Sequence, residues 1–155
     1  MSNLEARYLG GDNEVSNDLG ANAYDRDQFN NYDKLSKWAA DNDLEIVLPN
    51  PNELFVDLDS EQAYELFLAQ IEVLKQILDV TEVSTYPSKS GLPCRHARVT
   101  VRIPKTRGGT LGVMERLALQ TMLGSDRRCE ILRYMRHCFN DPNSTLFLEK
   151  KNENS

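Results

Sequence analysis

Apolar side chains occupy every second position in two separate stretches of the chain, residues 53–59 and residues 96–103. The apolar positions are Leu54, Val56 and Leu58 in the first stretch and Ala97, Val99, Val101 and Ile103 in the second. Because successive residues of a strand point to opposite faces, this period of two predicts two strands, each with one apolar and one polar face. The apolar faces are expected to join the core, and the polar faces carry the candidate chemistry.

A period of three to four residues runs through residues 61–78, where Phe67, Ile71 and Leu74 fall on one side. This spacing predicts an amphipathic helix. Further patterns predict helices over residues 33–42, 111–123 and 125–138, and strands over residues 44–48, 80–86 and 144–149. From residue 53 onward the predicted order is βαββαβ, the ferredoxin-like or RNA-recognition-motif (RRM) order. We therefore predict an α+β fold, in which an RRM-like antiparallel sheet has helices on one face and is preceded by a helix and a strand.

Composition suggests the domain boundaries of the 155-residue chain. Residues 1–31 are rich in Asn, Asp and Gly without an apolar period, which predicts a flexible acidic arm. Residues 32–150 are expected to form a single domain, followed by a polar tail over residues 151–155. The sequence shows no apolar run of membrane-spanning length and no secretory signal, so we expect a cytoplasmic protein without a membrane partner.

Charge is distributed unevenly, although the formal total is −6. Residues 1–43 hold nine acids and four bases, a net charge of −5, whereas residues 89–136 hold eleven bases and three acids, a net charge of +8. A local excess of bases attracts phosphates even in an acidic protein. The second region is therefore a candidate surface for nucleotides or nucleic acid.

Asp57 and Asp59 stand two residues apart at the end of the first alternating strand. A strand points both carboxylates the same way, about 7 Å apart along the chain. Adjacent carboxylates repel each other unless a cation lies between them, and carboxylate oxygens are the ligands that Mg²⁺ and Mn²⁺ prefer. A competing interpretation makes Asp59 the N-cap of the next helix and leaves Asp57 solvated.

The βαββαβ order also predicts which residues lie beside this pair, because its first and third strands are antiparallel neighbours. Asp57 and Asp59, at the end of the first strand, should lie beside His96 at the start of the third. All three side chains belong to the polar faces of their strands. Further bases on this face and on the loop after it are Arg98, Arg102, Lys105 and Arg107. Acids, a histidine and bases on one face favour metal and phosphate chemistry over a solvated surface.

Residues 55–60, with the sequence Phe-Val-Asp-Leu-Asp-Ser, resemble the Asp-x-Asp motif of the archaeo-eukaryotic primase and primase-polymerase superfamily. Residues 88–91, Ser-Lys-Ser-Gly, together with His96, resemble its second motif, a serine- and glycine-containing turn before a histidine on the next strand. The resemblance covers about residues 44–149. It is closest to the small stand-alone units that phages and mobile elements carry.

The resemblance implies roles for these residues. Asp57 and Asp59 would hold Mg²⁺ or Mn²⁺ and form the catalytic set with His96, while a third acid is expected later in the chain. Candidates for that acid are Asp126, which could instead be a helix N-cap, and Glu115, which could be a surface residue. The residues expected to bind substrate are Ser88, Lys89, Ser90, Arg98, Arg102, Lys105 and Arg107. The implied partners are a nucleoside triphosphate, single-stranded DNA or RNA and other replication proteins, in a host cell's cytoplasm if a phage encodes the chain.

Two functions follow from the sequence. The first is metal-dependent nucleotidyl transfer, in the form of primer synthesis, which the Asp-x-Asp pair and the placement of His96 favour. The second is a non-catalytic, primase-like scaffold that binds nucleic acid or inhibits a nucleic-acid enzyme. Four residues separate Gly91 from His96, and the third acid has no clear sequence context, which favours the second function.

Overall fold

A computed structural model describes residues 32–151 of the chain. The arm predicted for residues 1–31, and all of the predicted tail except its first residue, lie outside the described residues. The described residues group into two units, one formed by Leu48–Ile131 and the other by residues 32–47 and 132–151. The single domain over residues 32–150 stays a prediction.

The described residues form an α+β fold with four α-helices and five strands, and both of its sheets are antiparallel. The helices are α1 (Tyr32–Asp41), α2 (Glu61–Ile77), α3 (Val113–Met122) and α4 (Arg127–Cys138). The strands are β1 (Leu44–Val47), β2 (Glu53–Leu58), β3 (Asp79–Pro87), β4 (Arg95–Arg102) and β5 (Phe147–Lys150). A short 3-10 helix covers Lys105–Arg107. In this part of the chain no helix is long and apolar enough to cross a membrane.

The unit Leu48–Ile131 contains a three-stranded sheet in the order β2-β4-β3. Strand β4 is therefore central and pairs antiparallel with both neighbours. Its register with β2 sets Asp57 opposite His96 and Leu58 opposite Arg95. The prediction that these two alternating strands are antiparallel neighbours is confirmed.

Helix α2 covers the apolar face of this sheet. Ser60 begins the helix, because its Oγ accepts a hydrogen bond from the amide of Ala63 at 3.0 Å. The competing interpretation of Asp59 as the N-cap is therefore wrong. The buried residues that form this core are Leu54, Val56, Leu58, Phe67, Ile71, Leu74, Ala97, Val99, Val101, Ile103, Leu111 and Leu123.

The opposite face of the sheet, which was expected to carry the candidate chemistry, is packed at its centre. Glu53, Phe55 and His96 are all buried. Cross-strand contacts on this face account for part of that burial. The Arg98 guanidinium lies 5.1 Å from the Phe55 ring centre, and the Tyr86 ring meets the His96 ring edge-on at 5.8 Å.

The outer edge of β2 is occupied by residues 120–126, the end of α3 and the turn to α4, which we call the α3–α4 segment. The amide of Phe55 donates to Gln120 Oε1 at 2.8 Å, and the amide of Asp57 donates to Ser125 Oγ at 3.0 Å. The carbonyl of Asp57 accepts from the amide of Asp126 at 2.7 Å. Backbone groups that a further strand would use are thus already satisfied.

The other unit holds the remaining sheet, in which β5 pairs antiparallel with β1. The last strand therefore pairs with the N-terminal extension and does not add a fourth strand to the three-stranded sheet. Helix α1 packs on this pair through Leu35 and Ala39, which form a small core with Leu146 and Leu148. Trp38 packs against the same core.

Candidate functional site

Three carboxylates meet at the end of β2. Asp57 lies on the strand, Asp59 follows it directly, and Asp126 lies in the α3–α4 turn. One oxygen atom from each residue lies within 4.8 Å of the other two. Of the two candidates for a third acid, Asp126 joins the pair, whereas the Glu115 carboxylate lies near Arg107 at 3.6 Å. We call Asp57, Asp59 and Asp126 the aspartate cluster.

Asp126 has two structural roles at once. Its Oδ2 accepts a hydrogen bond at 3.2 Å from the amide of Cys129, which follows three residues later. This is the geometry of a helix N-cap. Its side chain also hydrogen-bonds to the Asp59 carboxyl. The N-cap interpretation of Asp126 is therefore confirmed, the cap fixes the position of the carboxylate, and its role as a metal ligand stays a prediction.

Asp59 is hard to ionise, although its side chain is exposed by surface area. Partial loss of water around the carboxyl is the largest cause, the negative charges of Asp57 and Asp126 add to it, and together they raise the pKa of Asp59 from 3.8 to about 7. The Arg128 guanidinium opposes this effect and lowers the pKa of the same carboxyl. The cluster as a whole therefore favours a proton, or another cation, between its oxygens.

We predict that the Asp59→Asn variant gains stability relative to the wild type as the pH rises from about 4 to about 7, in the absence of divalent metal. The folded wild type holds a proton that the unfolded chain releases near pH 3.8, so its favourable contribution is full below that pH. That contribution is lost as the pH rises through about 7, whereas Asn has no proton to release at this position, so the variant keeps its stability. Urea denaturation at several pH values, with a chelator present, measures the difference.

A matched control is Ser60→Ala, which removes the neighbouring N-cap of α2 but no ionisable group. Loss of that cap should lower the free energy of unfolding by about 0.5–2 kcal/mol at every pH. If the difference between Asp59→Asn and the wild type were equally independent of pH, the raised pKa of Asp59 would be contradicted.

His96 lies beside the cluster, as predicted, but in the interior of the protein. Its side chain is buried, and its Nε2 atom lies 3.8 Å from Asp57 Oδ1. That distance is too long for a direct hydrogen bond. The two side chains are therefore neighbours across the β2–β4 pair without a direct bond between these atoms.

The turn at residues 88–94 lies at the same end of the sheet. Tyr86, at the end of β3, pairs with His96, and the Cys94 thiol donates to the Asp59 carbonyl at 3.6 Å. Within the turn, the Ser88 hydroxyl accepts from the amide of Ser90 at 3.2 Å. Ser88, Lys89 and Ser90 are thus placed two strands from the Asp57 backbone, about 10 Å across the sheet.

The predicted basic residues are not gathered around the cluster. Arg98 forms a two-point ion pair with Glu53, with Nε–Oε2 at 2.8 Å and Nη2–Oε1 at 3.0 Å. This partner, together with a hydrogen bond to Tyr86, raises the pKa of Arg98 further above its ordinary value. Arg98 thus already has an anionic partner within the fold.

The other three bases lie at the end of β4 that is away from the aspartates. Arg102 ends the strand, and Lys105 and Arg107 follow it in the 3-10 helix. Arg102 is six residues from His96 along the strand, hence roughly 20 Å away. It lies near Asp79 at 3.5 Å, whereas Arg107 lies near Glu115 at 3.6 Å. Arg102, Lys105 and Arg107 therefore lie apart from the cluster, at the other end of β4, and their contact with substrate stays a prediction.

Sequence reasoning missed three residues that the structure places near the aspartates. Arg128 acts on the charge of Asp59, and Ser125 and Gln120 hold the backbone of β2. Their signal in the sequence is weak. Arg128 was one of many bases, and Ser125 and Gln120 are 68 and 65 residues from their partners along the chain.

A separate apolar groove of about 540 Å³ lies between the C-terminal half of α2 and helix α3. Its walls include Val73, Ile77 and Met122, which are exposed. Ile103 and Arg107, from beyond the far end of β4, also line it, and it shares no residue with the aspartate cluster.

Comparisons of the chain with family models, with curated proteins and with solved structures found no match. The likeness to the primase superfamily therefore depends on the motif residues described above.

Proposed function

We propose that the protein is a metal-dependent nucleotidyltransferase of the primase type, which synthesises primers from nucleoside triphosphates. The observation that carries this proposal is the aspartate cluster, in which three carboxylates from separate parts of the chain converge within 4.8 Å. An arrangement that raises the pKa of one member to about 7 is poor design for stability alone. It becomes favourable when a divalent cation replaces the proton.

The donor set fits Mg²⁺ or Mn²⁺. All three ligands are carboxylates, the hard oxygen donors that these ions prefer, and Asp59 is exposed enough to admit an ion. Mg²⁺ commonly takes one or two carboxylates and completes its shell with water and substrate phosphates. The cluster supplies at least that many carboxylates, and the exposure of Asp59 leaves room for water and phosphates.

When bound, the metal would polarise the triphosphate and lower the pKa of the attacking 3′-hydroxyl. The chain's own residues then have distinct tasks. Asp57 and Asp126 fix the metal-binding oxygens, since their backbones are hydrogen-bonded to each other. Ser88, Lys89 and Ser90, at the same sheet end, would bind the phosphates, His96 would lie beside Asp57, and Arg128 would offset part of the negative charge of the carboxylates.

The fold is consistent with this assignment. The sequence β2-α2-β3-β4, with the strand order β2-β4-β3, corresponds to the first three strands and first helix of the ferredoxin-like arrangement. We propose that this unit is an RRM-like catalytic core whose fourth-strand position is taken by the α3–α4 segment.

The test is synthesis of a product from a single-stranded template with nucleoside triphosphates and Mn²⁺ or Mg²⁺. We expect the full chain to synthesise primers, and Asp57→Asn to lower the rate by at least about a hundredfold, because it removes one anionic ligand. The matched control is Asp79→Asn, which removes an exposed acid on β3 and should leave the rate unchanged. A wild-type chain that yields no product with either metal contradicts the enzymatic proposal.

A second candidate function, a non-catalytic nucleic-acid-binding or inhibitory protein, is favoured by one observation. Lys105 and Arg107 lie in the 3-10 helix that follows β4, at the end of the strand away from the aspartates. A nucleic-acid strand bound there would lie far from the cluster. This function predicts single-stranded binding that needs no metal, falls with salt and weakens when Lys105 and Arg107 are reversed in charge, without any product.

A further inference from the structure

The main chain of Asp57 is held through both its amide and its carbonyl by the turn between α3 and α4. Its amide donates to the buried Ser125 hydroxyl at 3.0 Å, and its carbonyl accepts from the Asp126 amide at 2.7 Å. A side chain and a main-chain group from two consecutive residues thus replace the pairing of a neighbouring strand. The carboxylates of Asp57 and Asp126 are brought together by this double contact.

The end of α3 explains how Ser125 reaches β2. The amide of Gly124 donates to Thr121 O at 3.0 Å, and the amide of Ser125 donates to Gln120 O at 3.1 Å, which together form a Schellman motif. This motif requires a left-handed residue, and Gly124 supplies it with φ 92°. The chain therefore turns sharply after α3 and presents the Ser125 hydroxyl to the strand.

Gln120 makes a second link between the same elements. It is fully buried, its Oε1 accepts from the amide of Phe55, and its Nε2 donates to both oxygens of Glu130 at 3.1 and 3.3 Å. Glu130 is itself buried. The side-chain amide of Gln120 thus connects β2 to the first turn of α4. Its contact on β2, Phe55, lies two residues before Asp57, and its contact on α4, Glu130, lies four residues after Asp126.

We propose that Ser125 and Gln120 are positioning residues that set the distance between the β2 carboxylates and Asp126, and thereby the affinity of the cluster for its cation. This inference rests on the proposed function. The three carboxylates repel one another, so without a metal their separation has to be imposed by the backbone that carries them. Groups that hold metal ligands from outside commonly change metal affinity by about 10- to 100-fold when removed.

The first experiment measures Mn²⁺ binding to the full chain by titration calorimetry, alongside its free energy of unfolding in urea. We expect Ser125→Ala to weaken Mn²⁺ binding by about tenfold, and Ser125→Thr, which keeps the hydroxyl, to restore most of it. Thr121→Ala is the matched control. It removes a hydroxyl that bonds only within α3, to Leu117 O at 2.8 Å, so Mn²⁺ affinity should stay at the wild-type value.

The second measurement is amide hydrogen exchange, which does not depend on metal. Gln120→Met, which keeps the length of the side chain, should speed exchange at Phe55, and Ser125→Ala should speed it at Asp57. A wild type that binds no Mn²⁺ overturns the proposed function and this inference with it. If the wild type binds Mn²⁺, and the folded Ser125→Ala and Gln120→Met variants bind it with the same affinity, the inference alone is overturned.

Discussion

Millimolar Mg²⁺ or Mn²⁺ should raise the melting temperature of the wild-type protein by roughly 5–10 °C, and the Asp57→Asn variant should lose this response. A ligand that binds the native state at a hundredfold excess over its dissociation constant stabilises it by about 2.7 kcal/mol. For a chain of this size each kcal/mol shifts the melting temperature by about 2–4 °C. A nucleoside triphosphate added with the metal should raise the temperature further, because its phosphates complete the coordination shell.

Asn is the informative replacement at Asp57 because this strand face is packed. The residue is only partly exposed, and Asn keeps its shape while removing the charge. Asp79→Asn is the control, since Asp79 lies on β3 beyond the cluster and should leave the metal response intact. Differential scanning fluorimetry with and without a chelator gives both results. Equal melting temperatures for the wild type in chelator, Mg²⁺ and Mn²⁺ would contradict the prediction that the aspartate cluster binds a divalent metal.

The strand pairing at the site could be read from the sequence, because it follows from local alternation and from element order. The period of two over residues 53–59 and 96–103 identified both strands, and the βαββαβ order made them neighbours. Antiparallel geometry then sets Asp57 opposite His96, as the register shows. Element boundaries agreed within a few residues wherever the apolar period was strong, as in α2.

The third acid could not be chosen from the sequence, because its selection depends on contacts that are distant along the chain. Glu115 and Asp126 both begin helices, where acids are common for purely local reasons. Asp126 joins the cluster because the Gly124 turn and the Asp57 backbone bring it there. These contacts join residues almost 70 positions apart, and no short-range pattern reports them.

The last strand's partner and the burial of the polar sheet face escaped sequence reasoning for a similar reason. The βαββαβ order predicted a fourth strand in the sheet, whereas Gln120 and Ser125 accept hydrogen bonds from the amides at the edge of β2. The alternation on β4 predicted a polar face available to phosphates, yet Glu53, 45 residues away, pairs with Arg98. A polar residue with a complementary partner can be buried, and its sequence pattern then resembles that of an exposed one.

The Glu53–Arg98 pair should be among the most costly polar contacts to break, and we expect Glu53→Ala to lower the free energy of unfolding by about 3–5 kcal/mol. Glu53 is buried, it binds Arg98 at two points, and it also accepts from the amide of Asn50 at 3.0 Å. Its removal leaves the Arg98 guanidinium without this partner beside the Phe55 ring. Urea denaturation measures the loss.

The same strand offers a matched control, because Arg102 also pairs with an acid, Asp79, but both side chains are mostly exposed. Asp79→Ala should cost less than about 1 kcal/mol, since water screens the pair and replaces it. The double variant Glu53→Ala/Arg98→Met should be more stable than Glu53→Ala alone, because it removes the uncompensated charge and keeps apolar contact with Phe55. If Glu53→Ala were no more costly than Asp79→Ala, the two-point contact between Glu53 and Arg98 would contribute no more to stability than an exposed ion pair, and the prediction would be wrong.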